Sequence, residues 1–143
     1  LNMAIPLLQQ RLTTALRFKL GETYHVTVKK ASSGKELSVS FYSKSTETAK
    51  RLSYEALTTL YEASNSINAK EVEAVKRYKV ASLQQNLNDN EYWANSIIYC
   101  FKQDIPIKRI TQTVDSMDNV TAEDIHKELK SSLLLSKASV KNK

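Results

Sequence analysis

The stretch Leu16-Arg17-Phe18-Lys19-Leu20-Gly21-Glu22-Thr23-Tyr24-His25-Val26-Thr27-Val28 decides how this chain is read, because the period of its apolar residues changes across it. Upstream, Ile5, Leu8, Leu12, Leu16 and Leu20 recur at three- and four-residue steps, the spacing of one helix face. Proline is tolerated in a helix only within the first turn, so Pro6 sets the start of a predicted helix running from about Pro6 to Lys19. Gly21 follows as its stop. Beyond it the period drops to two. Tyr24, Val26 and Val28 share one strand face, and His25 lies on the other. A second alternating segment carries Leu37, Val39 and Phe41 on one face, and Lys30 to Lys35, with Gly34, reads as the hairpin loop between them.

The rest of the chain returns to helical spacing. From Thr46 to about Asn65, Ala49, Leu52, Ala56, Leu57, Leu60 and Ala63 form a stripe. Asn68-Ala-Lys-Glu71 has the form of a capping box and opens a helix carrying Val72, Val75, Val80, Leu83 and Leu87, broken around Asn88-Asp89-Asn90. A further helix holds Trp93, Ile97, Ile98 and Phe101. Pro106 ends that region, and a short helix passes through Ile110 and Val114. Thr121-Ala-Glu-Asp124 caps a last helix with Ile125, Leu129 and Leu133.

This inventory predicts an α+β class: a two-layer domain, with an antiparallel hairpin covered by several helices, spanning 1–143 as one unit. Residues 136–143 are expected to include disordered tail. Two strands alone make a marginal sheet. Either the chain pairs with itself as a homo-oligomer, or strands that complete the sheet precede Leu1, and the domain is read as incomplete at its N-terminus. An opening Leu1 in place of Met reads as a processed or excised segment, in which a signal peptide would not be visible.

Composition narrows the function. With 41% hydrophobic and 25% charged residues the chain resembles an ordinary folded domain, and only two glycines and two prolines argue against an all-β design. The net charge of +6 suggests nucleic acid until it is located. Lys137, Lys141 and Lys143 sit in a terminal stretch without acids and supply half of that excess. The remaining bases alternate with acids, as in Glu71, Glu73, Lys76, Arg77 and Lys79, and no aromatic stripe accompanies them, so no nucleic-acid partner is expected. No apolar run reaches the roughly 18 residues of a membrane span. Cys100 is the only cysteine, which excludes an internal disulfide, and its apolar helix predicts a buried, inert thiol. His25 and His126 belong to no paired zinc motif and read as solvated or hydrogen-bonded structural residues. No phosphate loop or nucleophile elbow is present, so the chain by itself is not expected to be an enzyme.

The pattern Leu16-Arg17-x-x-Leu20-Gly21-x-x-Tyr24, followed by a strand, resembles the C-terminal half of insulinase/pitrilysin-family zinc metallopeptidases. Val39-Ser-Phe41 and Thr46-Glu47 before a long helix are similar to the family's next strand and helix. Asn68-Ala-Lys-Glu71-Val-Glu-Ala-Val-Lys76 resembles a Thr-x-x-Glu-Leu-x-x-x-Lys helix start. Asn90-Glu-Tyr92-Trp93-Ala-Asn95 resembles an Asn-x-Tyr-Trp segment of bacterial envelope members, and Asn119-Val-Thr121-Ala-Glu-Asp124-Ile125 the opening of the last helix. These likenesses fall in order along nearly the whole chain; 136–143 does not match the family's closing strand.

The resemblance implies a metallopeptidase-half-like fold and a non-catalytic, substrate-binding domain. Zinc would reside in an N-terminal catalytic half of the same protein, with none in this chain, and the compartment would be the periplasm or cell envelope of a bacterium. It also implies that Arg17 and Tyr24 reach towards the peptide near the scissile bond. The residues suit that role: Arg17 is a permanently charged fork of donors at a helix end, and Tyr24 is a phenol at the mouth of a strand. Plainer roles fit them too, since a cation favours the helix C-terminal dipole and Tyr24 is in phase with the core valines. Tyr92 and Trp93 read as core. An exposed hairpin edge would allow an extended peptide to add as a strand, unless further strands cover it. Competing functions are a purely structural domain of an inactive peptidase homologue and a basic nucleic-acid-binding module.

Overall fold

A computed structural model describes residues 2–30 and 36–133. Of the predicted hairpin loop, Lys30 to Lys35, the first residue belongs instead to a strand and 31–35 lie outside the described residues, as do the predicted tail 136–143 and the side chain of Leu133. Helix α1, Ala4–Leu12, continues without a break into a π-helical segment, Thr13–Lys19. Strands β1, Val26–Lys30, and β2, Leu37–Phe41, follow. The remaining helices are α2, Thr46–Ser66; α3, Ala69–Asn86; α4, Asn90–Lys102; α5, Arg109–Asp118; and α6, Ala122–Leu133. Among the described residues the chain is mainly helical with one two-stranded antiparallel sheet, broadly the α+β class that the periodicity predicts.

Helix α1 is the hub. Its Leu8 and Leu12, with Leu16 from the π segment, are fully buried, and it packs on β1, α2 and α3. Val26 and Val28 close the core from the sheet, Leu52 and Ala56 from α2, Val72 from α3, and Ile125 and Leu129 from α6, which lies along α2. On β2, Leu37, Val39 and Phe41 face the same core but are only half-covered. Helix α4 adds no residue to this core; Cys100 is its one buried side chain among the described residues.

Three sequence readings need correction. The first helix starts at Ala4, two residues before Pro6, and its last seven residues are π-helical, a winding that the apolar spacing does not reveal. Leu57 is 41% exposed: it sits about 80° round α2 from Ala49, on the flank of the buried stripe, and Thr59 and Ser64 take the inner positions. Tyr24 precedes β1 instead of belonging to it, and at 82% exposure it is no core-edge residue.

The junctions follow local chemistry. Ser45 caps α2 through Thr48. The Asn68–Glu71 capping box forms in both directions, with Glu71 N–H donating to Asn68 Oδ1 at 3.1 Å and Asn68 N–H donating to Glu71 Oε2 at 2.9 Å. Glu71 does more. Arg11 Nη2 donates to both its oxygens, at 2.9 and 3.1 Å, while Arg11 Nη1 donates to Ser66 Oγ at 2.6 Å. One guanidinium therefore fastens α1 to the end of α2 and the start of α3. Further on, Lys76 Nζ donates to Asp118 O at 2.9 Å, a cation on the carboxyl end of α5. Helix α4 ends in a Schellman turn: Asp104 takes φ 53°, and Ile105 N–H reaches Cys100 O at 2.9 Å.

Partial burial works to raise the Glu71 carboxyl pKa, but the Asn68 N–H and the Arg11 guanidinium together outweigh it and hold the group below its ordinary value. A carboxylate with a depressed folded-state pKa stabilises the fold above its unfolded pKa, and that contribution is lost as pH falls through the folded value. Glu71→Gln should cost about 1 kcal/mol at pH 7, a modest figure because the pair is partly exposed. Urea unfolding at pH 7 and pH 3 checks this: the gap between wild type and variant should narrow on acidification.

Candidate functional site

The turn at Gly21 joins helix to sheet. Gly21 has φ 66° and donates its N–H to Arg17 O at 3.1 Å, the single-bond left-handed helix ending. A side chain there would meet no atom within 4 Å, so the demand for glycine comes from the backbone angle and not from crowding. The preceding bond, Leu20 N–H to Ala15 O at 3.2 Å, spans five residues and is the last of the π segment. At the end of this segment Arg17, Phe18 and Lys19 face outward, and Phe18 is 70% exposed.

Behind this rim the structure is tied down. Gln9 Nε2 donates to Val26 O at 2.7 Å, and Gln9 Oε1 accepts Val28 N–H at 2.8 Å. The amide of α1 thus takes the place of a neighbouring strand's peptide group on β1. Groups of alternate residues point to opposite strand edges, so Thr27 and Lys29 face β2, while Val26 and Val28 face outward onto Gln9. Thr13 Oγ1 accepts a second bond from Gln9 Nε2 at 3.0 Å and fixes the amide. Within the turn, Thr23 is buried and its hydroxyl donates to His25 O at 3.2 Å. Glu22 forms a two-pronged ion pair with Arg51 of α2, one prong being Arg51 Nε to Oε2 at 3.1 Å.

Arg17 and Tyr24 stand at either end of this turn, and both are exposed. The guanidinium carbon of Arg17 lies 5.3 Å from the centroid of the Phe18 ring, within cation–π range. Among the described residues no hydrogen bond joins Arg17 to Tyr24, and the two side chains are not locked together. His25 is exposed and shares a 2.8 Å hydrogen bond with Thr27 Oγ1, as expected of a structural histidine. Tyr92 and Trp93, read from the sequence as core, are instead half-buried on α4 outside the main core, where Trp93 donates Nε1–H to Leu87 O at 2.8 Å. The Cys100 thiol is free and buried.

Two clefts flank α1. One, of about 450 Å³, is walled by Pro6, Leu7, Ala74, Val75 and Tyr78; the other, of about 340 Å³, by Arg11, Thr14, Lys19, Glu55 and Glu62. Neither contains Arg17 or Tyr24. Among the described residues no three His, Cys, Asp or Glu side chains gather where they could hold a metal ion, and no helix is long and apolar enough to cross a membrane.

Gln9, Glu22 and Arg51 carry no motif, and the apolar spacing gives no sign of them. A comparison with models of known protein families gave no match, and a comparison with curated proteins gave none either.

Removing the Gln9 amide by Gln9→Leu should destabilise the fold by about 1–2 kcal/mol. Hydrogen exchange offers the sharper check. The Val28 amide should lose at least about tenfold in protection relative to Thr27 and Lys29, whose N–H groups are held by β2. Equal loss at all three would mean that Gln9 merely supports the helix.

Proposed function

We propose that this chain is a non-catalytic, substrate-binding domain of a zinc metalloendopeptidase with a metallopeptidase-half-like fold. The observation that carries the reading is the rim itself: a cationic fork and a phenol, both exposed, on either side of a left-handed glycine turn braced from behind by Gln9 and by the Glu22–Arg51 pair. This is the Leu-Arg-x-x-Leu-Gly-x-x-Tyr pattern through which the sequence resembles the insulinase/pitrilysin family.

Chemically, Arg17 offers up to five N–H donors and Tyr24 one O–H donor. Both can hold a peptide carbonyl and can steady the oxyanion that forms when water attacks it. Zinc and the catalytic acid–base group would belong to an N-terminal half of the same protein, which would supply the wall that this exposed rim lacks. The corresponding compartment is the bacterial periplasm or cell envelope.

In a protein containing this domain and its catalytic half, Arg17→Ala or Tyr24→Phe should lower peptide turnover by roughly a hundred- to a thousandfold, the usual effect of losing one oxyanion donor. Zinc content by elemental analysis should stay at one equivalent. Unchanged turnover in both variants would leave the rim without a role and favour a purely structural domain.

A further inference from the structure

Helix α4 lies outside the core, and its outward face is patterned from end to end. Ile98 is 50% and Phe101 75% exposed. At helical spacing Glu91, Ala94, Asn95, Ile98, Phe101 and Lys102 fall on one face, and all six are exposed. The order along that face matters. Its first half carries an acid and small residues, Glu91, Ala94 and Asn95; its second half carries large apolar residues and a base, Ile98, Phe101 and Lys102. The face is therefore complementary to itself when reversed.

We propose that α4 is a docking surface for a second copy of this chain, the two α4 helices running antiparallel about a two-fold axis near Ile98. A two-fold axis keeps each flank of the face on its own side. On one flank Phe101 then lies over the partner's Ala94, where a small side chain leaves room for a ring. On the other, Lys102 reaches the partner's Glu91, and the same two contacts are repeated by symmetry. Like-charged ends would meet if the helices ran parallel, so the charge order selects the antiparallel arrangement. The surface is one helix wide, below the size of a standard stable interface, so the dimer is a weak, transient one.

Sedimentation velocity on the chain between about 5 µM and 500 µM is the test, with circular dichroism confirming that each variant is folded. Wild type should pass from monomer to dimer across that range. Phe101→Asp, at a position already open to solvent, should remove the dimer. Glu91→Lys and Lys102→Glu should each weaken it at least fivefold, and the double exchange Glu91→Lys with Lys102→Glu should recover most of the affinity. A wild type that stays monomeric at 500 µM overturns the proposal. So does a dimer that survives Phe101→Asp, for instance one formed through the edge of β2, or a double exchange that fails to recover what the single exchanges lose.

Discussion

The two bonds from the Gln9 amide to Val26 and Val28 set the geometry on which the candidate site depends. A two-stranded sheet has little stability alone, and each of its edges presents unpaired peptide groups. On β1 two of these groups, Val26 O and Val28 N–H, are taken by a helix side chain, which ties α1 to the strand. Only a tight reversal can then connect the helix end to β1, and Gly21 supplies it by taking a left-handed angle that would cost another residue roughly 1–2 kcal/mol. Arg17 and Tyr24 inherit their positions from these two constraints.

The same economy governs the helical layer. Arg11 reads three elements at once, bonding to Ser66 at the end of α2 and to Glu71 inside the α3 capping box. Lys76 similarly joins α3 to the carboxyl end of α5. These polar nodes lie where helices meet, while the apolar core between them is formed mainly by α1, α2 and β1. The second strand is different. By the same alternation that turns Val26 and Val28 outward, the peptide groups of Leu37, Val39 and Phe41 face away from β1, and their side chains are only half-covered. The open edge of the hairpin is therefore mainly that of β2, because Gln9 already occupies the N-terminal half of the β1 edge.

Much of this arrangement was legible in the sequence, for definite reasons. The alternation of Val26 with Val28 and of Val39 with Phe41, the Asn68–Glu71 box and the Thr121–Asp124 cap are short-range patterns, and each appears where its spacing places it. What escaped was long-range or continuous with helix. Gln9 meets β1 across 17 and 19 residues, and Arg11 meets Glu71 across 60, separations on which periodicity is silent. The π winding of Thr13–Lys19 leaves the leucine spacing intact and so hides within it. Tyr24 matched the phase of the valines but not their burial, because the chain is still turning at Thr23 and enters the strand only at Val26. Of the candidate site, the sequence marked Arg17, Gly21 and Tyr24 but none of the groups that brace them.

The functional reading reduces to whether this rim meets an extended peptide. Nitrogen-15 spectra of the chain, followed at the Arg17 guanidinium and the Gly21 amide while an unstructured peptide is added to millimolar concentration, address that directly. The account predicts saturable shifts at both positions, with little change at surface residues remote from the turn such as Tyr78. Signals at Arg17 and Gly21 that stay fixed throughout the titration would contradict it.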